Sequence, residues 1–163
     1  MDHVKHLKCL ICGKEYAPDE IEYVCPDHGN DGIVDVRYDY DLISSRISPA
    51  SLAENEDYTI WRYKPLLPVE ADAEIPPLAI GWTPLYAAPR LAEELGLNHV
   101  WVKDDGRLPT ASFKDRASAI AVVKAREKGA EIITTASTGN AAAALSGISA
   151  SMEQPNVIFV PET

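Results

Sequence analysis

Four residues near the start of the chain have the types and spacing of a metal site. Cys9 and Cys12 frame a C-x2-C turn followed by Gly13; Cys25 and His28 frame a C-x2-H turn followed by Gly29. Each turn aims two soft donors at one point, and the glycine behind it lets the backbone fold back. Cys3His is an accepted tetrahedral zinc set, and it uses all three cysteines of the chain. A closed four-ligand site leaves no position for substrate, so its work would be structural, with a docking surface as a further role. The alternative is a metal-free remnant packed by the same turns. His3 and His6 read as exposed N-terminal residues rather than ligands.

A second kind of chemistry lies in KDDGRLPTASFKDRAS, from Lys103 to Ser118. Ser112 followed by Asp115 resembles a capping box with a shorter acid, which places Lys114 in the first turn of a helix. A cation beside the positive pole of a helix costs about 0.3–1 kcal/mol. Either Lys114 snorkels to solvent, or dipole and burial depress its pKa and favour the neutral amine that forms imines with carbonyls. A later loop bears on that choice. Ser137, Thr138, Gly139 and Asn140 form a small polar turn that opens a helix, so its backbone N–H groups suit a carboxylate or phosphate. Alone, this is an N-cap turn with Asn140 or Ser137 as the cap. Paired with Lys114, it is a place for an anion facing an amine nucleophile.

The elements that must position these groups alternate regularly. Patterning predicts helices over Pro89–Leu95, Phe113–Lys128 and Asn140–Met152, and strands over His99–Lys103, Glu131–Thr135 and Asn156–Val160. Pro89 and Gly96 bracket the first helix, and Gly129 caps the second, whose apolar face carries Ala117, Ile120 and Val123. The expected class is α/β: a partial parallel sheet with right-handed crossovers, helices covering both faces, and ligands at the strands' carboxyl ends. Residues 1–41 read as a small zinc-ribbon-like segment. Residues 42–80 read as an extended connector rich in proline, and 81–163 as the alternating α/β part where the chemistry should lie. Trp61, Trp82 and Trp101 read as packing residues.

Composition narrows the function classes. The 163 residues are 46% hydrophobic and 25% charged, with a net charge of −10. Residues 1–80 hold 16 acids against 7 bases, and residues 81–163 hold 9 against 8. An acidic first half is a poor match to nucleic acid or to an anionic membrane. No run approaches the ~18 apolar residues of a membrane span, and MDHVKHLKCL lacks the apolar core of a secretory signal. An odd cysteine count disfavours a disulfide framework and points to a reducing, cytoplasmic setting.

Three motifs together resemble a known family. GWTPLY (Gly81–Tyr86), GRLPTASFKDR (Gly106–Arg116) and STGNA (Ser137–Ala141) are similar to those of the threonine synthases. These belong to the tryptophan-synthase-β-like (fold-type II) class of enzymes that use pyridoxal 5'-phosphate. The segment DVRYDYDL at Asp35–Leu42 extends the likeness toward the N-terminus, where several such proteins carry a similar ribbon. The resemblance implies a carbon–oxygen lyase acting on phosphates, converting O-phosphohomoserine and water to threonine and phosphate. Lys114 would hold the cofactor as an internal Schiff base and then shuttle protons. Asn140 would hydrogen-bond the cofactor's ring hydroxyl, while Ser137, Thr138, Gly139 and Asn140 would seat the substrate. The full-length enzyme would be a homodimer with a small-molecule substrate and no nucleic-acid or membrane partner.

The family's cofactor also needs a glycine-rich phosphate cradle and a partner for its pyridine nitrogen. The nine glycines are scattered at 13, 29, 32, 81, 96, 106, 129, 139 and 147, with no glycine-rich run. The chain is therefore expected to be an N-terminal portion, inert by itself. Two alternatives stand beside this reading. One is another enzyme of the same class, a threonine or serine ammonia-lyase or a β-replacement enzyme; the other is a non-catalytic zinc-ribbon module that binds a protein.

Overall fold

The structure, a computed structural model, describes residues 1–162. Its backbone forms two compact units, Met1–Glu56 with Arg62–Ala71, and Asp57–Trp61 with Asp72–Thr163.

The first unit is built on a three-stranded antiparallel sheet of order β2-β1-β3, with β1 at Val4–Cys9, β2 at Glu15–Tyr16 and β3 at Val34–Tyr38. Register pairs Leu7 with Tyr16 on one side of β1 and Cys9 with Val34 on the other. Two short helices follow. In α1 (Tyr40–Arg46) the Asp39 carboxylate accepts the Leu42 N–H at 3.0 Å; α2 (Pro49–Glu54) starts with a Ser48–Ser51 capping box and a proline in its first turn.

His3 departs from the exposed position expected of it. It is 5% exposed, its Nε2–H donates to the Leu67 carbonyl at 2.7 Å, and its ring stacks on Tyr38. The flat ring fills an apolar gap while its polar tip finds an acceptor. That combination explains the burial.

In the second unit, β4 (Leu85–Ala87) and β5 (Trp101–Lys103) pair antiparallel around α3 (Pro89–Leu95). Helix α3 has the predicted limits, with proline in its first turn and Gly96 closing it in the left-handed conformation at φ 65°. Then come α4 (Lys114–Glu127), β6 (Ile133–Ala136), α5 (Asn140–Ser151) and β7 (Asn156–Phe159). Only β6 and β7 are parallel, in register from Ile133–Asn156 to Ala136–Phe159.

The expected parallel sheet is thus corrected. The strand at Trp101–Lys103 runs beside Leu85–Ala87, because two flanking hydrogen bonds extend that pairing: Ala88 N–H to Val100 at 2.9 Å and Asp104 N–H to Pro84 at 2.9 Å. The sheet faces are not both covered either. All residues of β4 and β5 are exposed, and β6 and β7 alternate between half-buried and exposed. Trp82 and Trp101 share this exposure, at 65% and 55%, so of the three tryptophans only Trp61 is a core residue. Trp82 leans on Tyr58, with ring centroids 4.5 Å apart.

The core of the second unit lies where α4 meets α5. Ala119, Val122 and Val123 of α4 are buried, as are Ala144, Leu145 and Ile148 of α5. The buried face of α4 is therefore rotated from the expected Ala117–Ile120–Val123 stripe, and it begins with Asp115, which is 0% exposed. This carboxylate accepts the Thr110 N–H at 2.8 Å and the Thr110 hydroxyl. A charge buried with two donors keeps its solvation, so the helix turns to deliver it. The acid therefore binds Thr110 rather than closing a capping box with Ser112.

Gly147 shows how tightly α5 approaches this loop. A Cβ there would lie 2.8 Å from Thr110 Cγ2, and Thr110 cannot rotate away without losing its bond to Asp115. Glycine to alanine inside a helix ordinarily stabilises by about 1 kcal/mol. At Gly147 the sign reverses: Gly147→Ala lowers stability by about 1–3 kcal/mol in denaturant unfolding. A stabilised variant would contradict this packing.

Candidate functional site

The first unit brings all four predicted metal ligands together. Cys9 ends β1, Cys12 lies in the turn after it, and Cys25 and His28 flank the turn leading to a 3-10 segment at Gly29–Asp31. Their ligand atoms all lie within 4.8 Å of one another. Gly13 and Gly29 adopt positive φ, as the fold-back turns require. Gly32 closes the second turn: a Cβ on it would lie 2.8 Å from the Cβ atoms of both Cys25 and His28.

The spacing fits one tetrahedral ion. Zinc–sulfur and zinc–nitrogen bonds of ordinary length imply tetrahedral edges of about 3.8 Å between sulfurs and about 3.6 Å from sulfur to nitrogen. Here Cys12 Sγ and Cys25 Sγ are 3.9 Å apart, and Cys25 Sγ lies 3.5 Å from His28 Nδ1. The sulfurs are far beyond the ~2.05 Å of a disulfide. The hydrogen bond with His28, and then that with Tyr16, draws the Cys25 thiol down to about 6, so it readily supplies the thiolate a metal needs. Cys9 and Cys25, both buried, form with Tyr16 the small core of the ribbon, against which Leu7, Ile21 and Val34 pack. Two of the four candidate ligands are therefore also core residues.

The second unit holds the lysine and the polar turn at residues 137–140. Lys114 is the first residue of α4, and its N–H donates to Ser112 Oγ at 3.2 Å. It is half-buried, with Nζ 4.6 Å from the centroid of the exposed Phe113 ring and no carboxylate partner among the described residues. A primary amine with no carboxylate partner is available as a nucleophile toward a carbonyl compound, and the Phe113 ring offers a flat apolar surface beside it. Ala111, three residues earlier, sits at φ 56°, where an L-residue is strained.

Around this loop lies a polar clasp that patterning did not single out. Arg116 donates to Asp105 through Nε and through one terminal nitrogen, both at 2.8 Å. Thr83 Oγ1 donates to the same carboxylate at 2.7 Å, and Lys103 Nζ donates to the Thr83 carbonyl at 2.6 Å. These contacts tie the GWTPLY segment to the strand before the loop and to the helix after it. Their residues stand inside or beside the quoted motifs, but nothing in local spacing says that they meet.

The turn after β6 starts α5 without a side-chain cap. Gly139 is the capping residue; neither Asn140 nor Ser137 caps the helix. Ser137 Oγ instead accepts the Gly139 N–H at 3.2 Å, and the Ser137 N–H donates to Phe159 at 3.1 Å. Thr138, Gly139 and Asn140 are exposed. Thr138 borders a cleft of about 470 Å³ at the carboxyl ends of β6 and β7, lined also by Ser137, Phe159 and Val160. Of the turn's backbone N–H groups, those of Ser137 and Gly139 are engaged, and those of Thr138 and Asn140 remain for an anion. Lys114 and this turn stand on helices that pack together, with no hydrogen bond joining them among the described residues.

Comparison with known proteins bears on both units. A family model described as "Pyridoxal-phosphate dependent enzyme" matches residues 77–163. The chain is 44% identical over 158 residues to a threonine synthase of Methanosarcina acetivorans, covering 96% of this chain and 37% of that protein. It is 39% identical over 155 residues to a threonine synthase of Methanocaldococcus jannaschii, covering 95% of this chain and 37% of that protein. A cysteate synthase of Methanosphaerula palustris is 32% identical over 164 residues, covering 96% of this chain and 35% of that protein. The chain thus spans little more than a third of the length of these relatives.

The clasp has a pH signature. Hydrogen bonds from Arg116 hold the Asp105 carboxyl well below the ordinary range, at about 2. A carboxyl depressed on folding stabilises fully above its unfolded value and loses that contribution as pH falls through its folded value. Thermal unfolding of the wild type should therefore show an acid-sensitive component between about pH 4 and 2 that Asp105→Asn lacks. Identical acid profiles for the two would contradict the clasp.

Proposed function

The chain belongs to the pyridoxal-phosphate-dependent enzymes, and we propose that its chemistry is that of a threonine synthase, converting O-phosphohomoserine and water to threonine and phosphate. The observation that carries this reading is the reach of the similarity. At 39–44% identity it runs through 95–96% of the chain, whereas the general family model begins only at residue 77.

The residues present fit the cofactor at its reactive end. Lys114 would hold it through Nζ, with an aromatic face alongside and no competing carboxylate among the described residues. When bound, pyridoxal phosphate supplies an electron sink for carbanions next to the amino acid's α-carbon. Lys114 Nζ would also take up and return protons at the substrate carbons, from a helix start fixed by Asp115 and Arg116. Ser137, Thr138 and Gly139 would seat the substrate carboxylate, with the Thr138 N–H and the Ser137 and Thr138 hydroxyls as donors, and the exposed Asn140 amide would hydrogen-bond the cofactor's ring hydroxyl. In the ribbon, Cys9, Cys12, Cys25 and His28 hold a structural zinc ion, which suits a reducing, cytoplasmic setting.

A β-replacement enzyme is the second reading, supported by the cysteate synthase likeness at lower identity. Assayed as its gene's full product, the protein should release phosphate from O-phosphohomoserine and form threonine. Formation of cysteate from a three-carbon β-phosphorylated amino acid and sulfite, with no threonine from O-phosphohomoserine, would favour the second reading. Cofactor attachment is testable apart from turnover. After incubation with pyridoxal phosphate and borohydride reduction, peptide mapping should find the adduct at Lys114, and Lys114→Ala should abolish it. Label spread evenly over the surface lysines would contradict the assignment.

The ribbon makes a separate claim. Zinc analysis should return one ion per chain, and chelation should remove the amide-exchange protection of β1 and β3, because two ligands are also core residues. Protection that survives complete zinc removal would refute the structural role.

A further inference from the structure

Among the described residues, Tyr16 is the one side chain outside the four candidate ligands with a hydrogen bond to the cluster. It is 3% exposed, and its hydroxyl lies 3.0 Å from Cys25 Sγ, with no other hydrogen-bond partner among the described residues. Its position is set by the sheet. The Cys9 N–H donates to the Lys14 carbonyl at 2.9 Å, closing the β1–β2 hairpin, and the register places Tyr16 opposite Leu7. The ring then crosses the ribbon's small core to reach a sulfur nine residues further on. Lys14 covers the ring from outside, with Nζ 5.3 Å from its centroid, while pairing with Asp27 at 3.1 Å.

The other contacts to sulfur set the comparison. Cys9 Sγ accepts the Ile11 N–H at 3.4 Å, Cys12 a backbone bond from Lys14, and Cys25 one from Asp27. Amides two residues past each cysteine come with the turns themselves. The phenol does not: it is an added donor, aimed at one thiolate from another strand. Three thiolates around a divalent ion leave a net charge of −1, and a buried negative charge is stabilised by O–H and N–H donors.

We propose that Tyr16 is a positioning residue of the metal centre, its buried hydroxyl donating to the Cys25 thiolate, fixing that ligand's orientation and drawing electron density from it. The proposal rests on the reading that the cluster holds a metal ion. Hydrogen bonds to ligands from the surrounding shell are commonly worth about 10–100-fold in metal affinity. Withdrawal of density from sulfur also raises the energy of thiolate-to-metal charge transfer and slows attack of the sulfur on electrophiles.

Cobalt(II) is the probe, titrated into the metal-free chain. Wild type should develop a thiolate-to-cobalt charge-transfer band. Tyr16→Phe keeps the ring and its packing, so it should still bind, with the band moved to longer wavelength and zinc affinity lowered about 10–100-fold in competition with a chromophoric chelator. A purely structural Tyr16 would change affinity without moving the band, so an unmoved band overturns the proposal. If Tyr16→Phe does not fold, uniform 3-fluorotyrosine gives the answer in the unaltered sequence. Its more acidic phenol should move the band to shorter wavelength, and an unmoved band again overturns the proposal. A wild-type chain that develops no charge-transfer band would refute the metal reading itself, a failure distinct from that of Tyr16.

Discussion

Two carboxylates fix the start of one helix, and the chemistry of the second unit depends on that. Asp115 turns inward from the first turn of α4 to hold Thr110 by its N–H and hydroxyl, while Arg116 reaches back to Asp105 with two parallel bonds. Lys114 stands immediately before both. Paired charge-assisted bonds of this kind define direction as well as distance. The loop they close stores strain at Ala111, where φ is positive, and such strain persists only when its surroundings over-determine it. A lysine at the positive pole of its helix is thus held where electrostatics alone would not put it.

The first unit solves a related problem with fewer residues. Its ribbon has too few apolar side chains for a sizeable core, and the space is filled by Cys9, Cys25 and the ring of Tyr16. Ligands that double as core residues couple metal retention to folding. In both units a handful of polar or soft contacts holds the backbone around a reactive group. Apolar burial closes the remaining space, chiefly between α4 and α5.

The helices and the convergence of the Cys–His cluster were legible in the sequence because their signals are local. Proline and glycine mark both ends of α3 to the residue, and two short turns of fixed spacing announce Cys9, Cys12, Cys25 and His28. Strand β4 was not legible, since Pro84 precedes it and only three residues are extended; without β4, β5 looked like a member of a parallel sheet. The buried face of α4 was misjudged because an aspartate heads it, and periodicity counts only apolar residues. His3 looked like a frayed terminus until its ring met Tyr38 and the Leu67 carbonyl. The Asp105–Arg116–Thr83 clasp and the Tyr16–Cys25 bond stayed hidden for one reason: each joins residues that sequence separation does not relate.

Amide hydrogen exchange at Thr110 tests the central claim most directly. Its N–H sits in a loop, where exchange would ordinarily be fast, yet it donates to a fully buried carboxylate at 2.8 Å. If the loop around Lys114 is as firmly held as the two carboxylates imply, Thr110 should exchange as slowly as the core amides of α4 at Val122 and Val123. Exchange at the rate of an open loop, with α4 still protected, would show that the lysine stands on a mobile segment and would contradict the account.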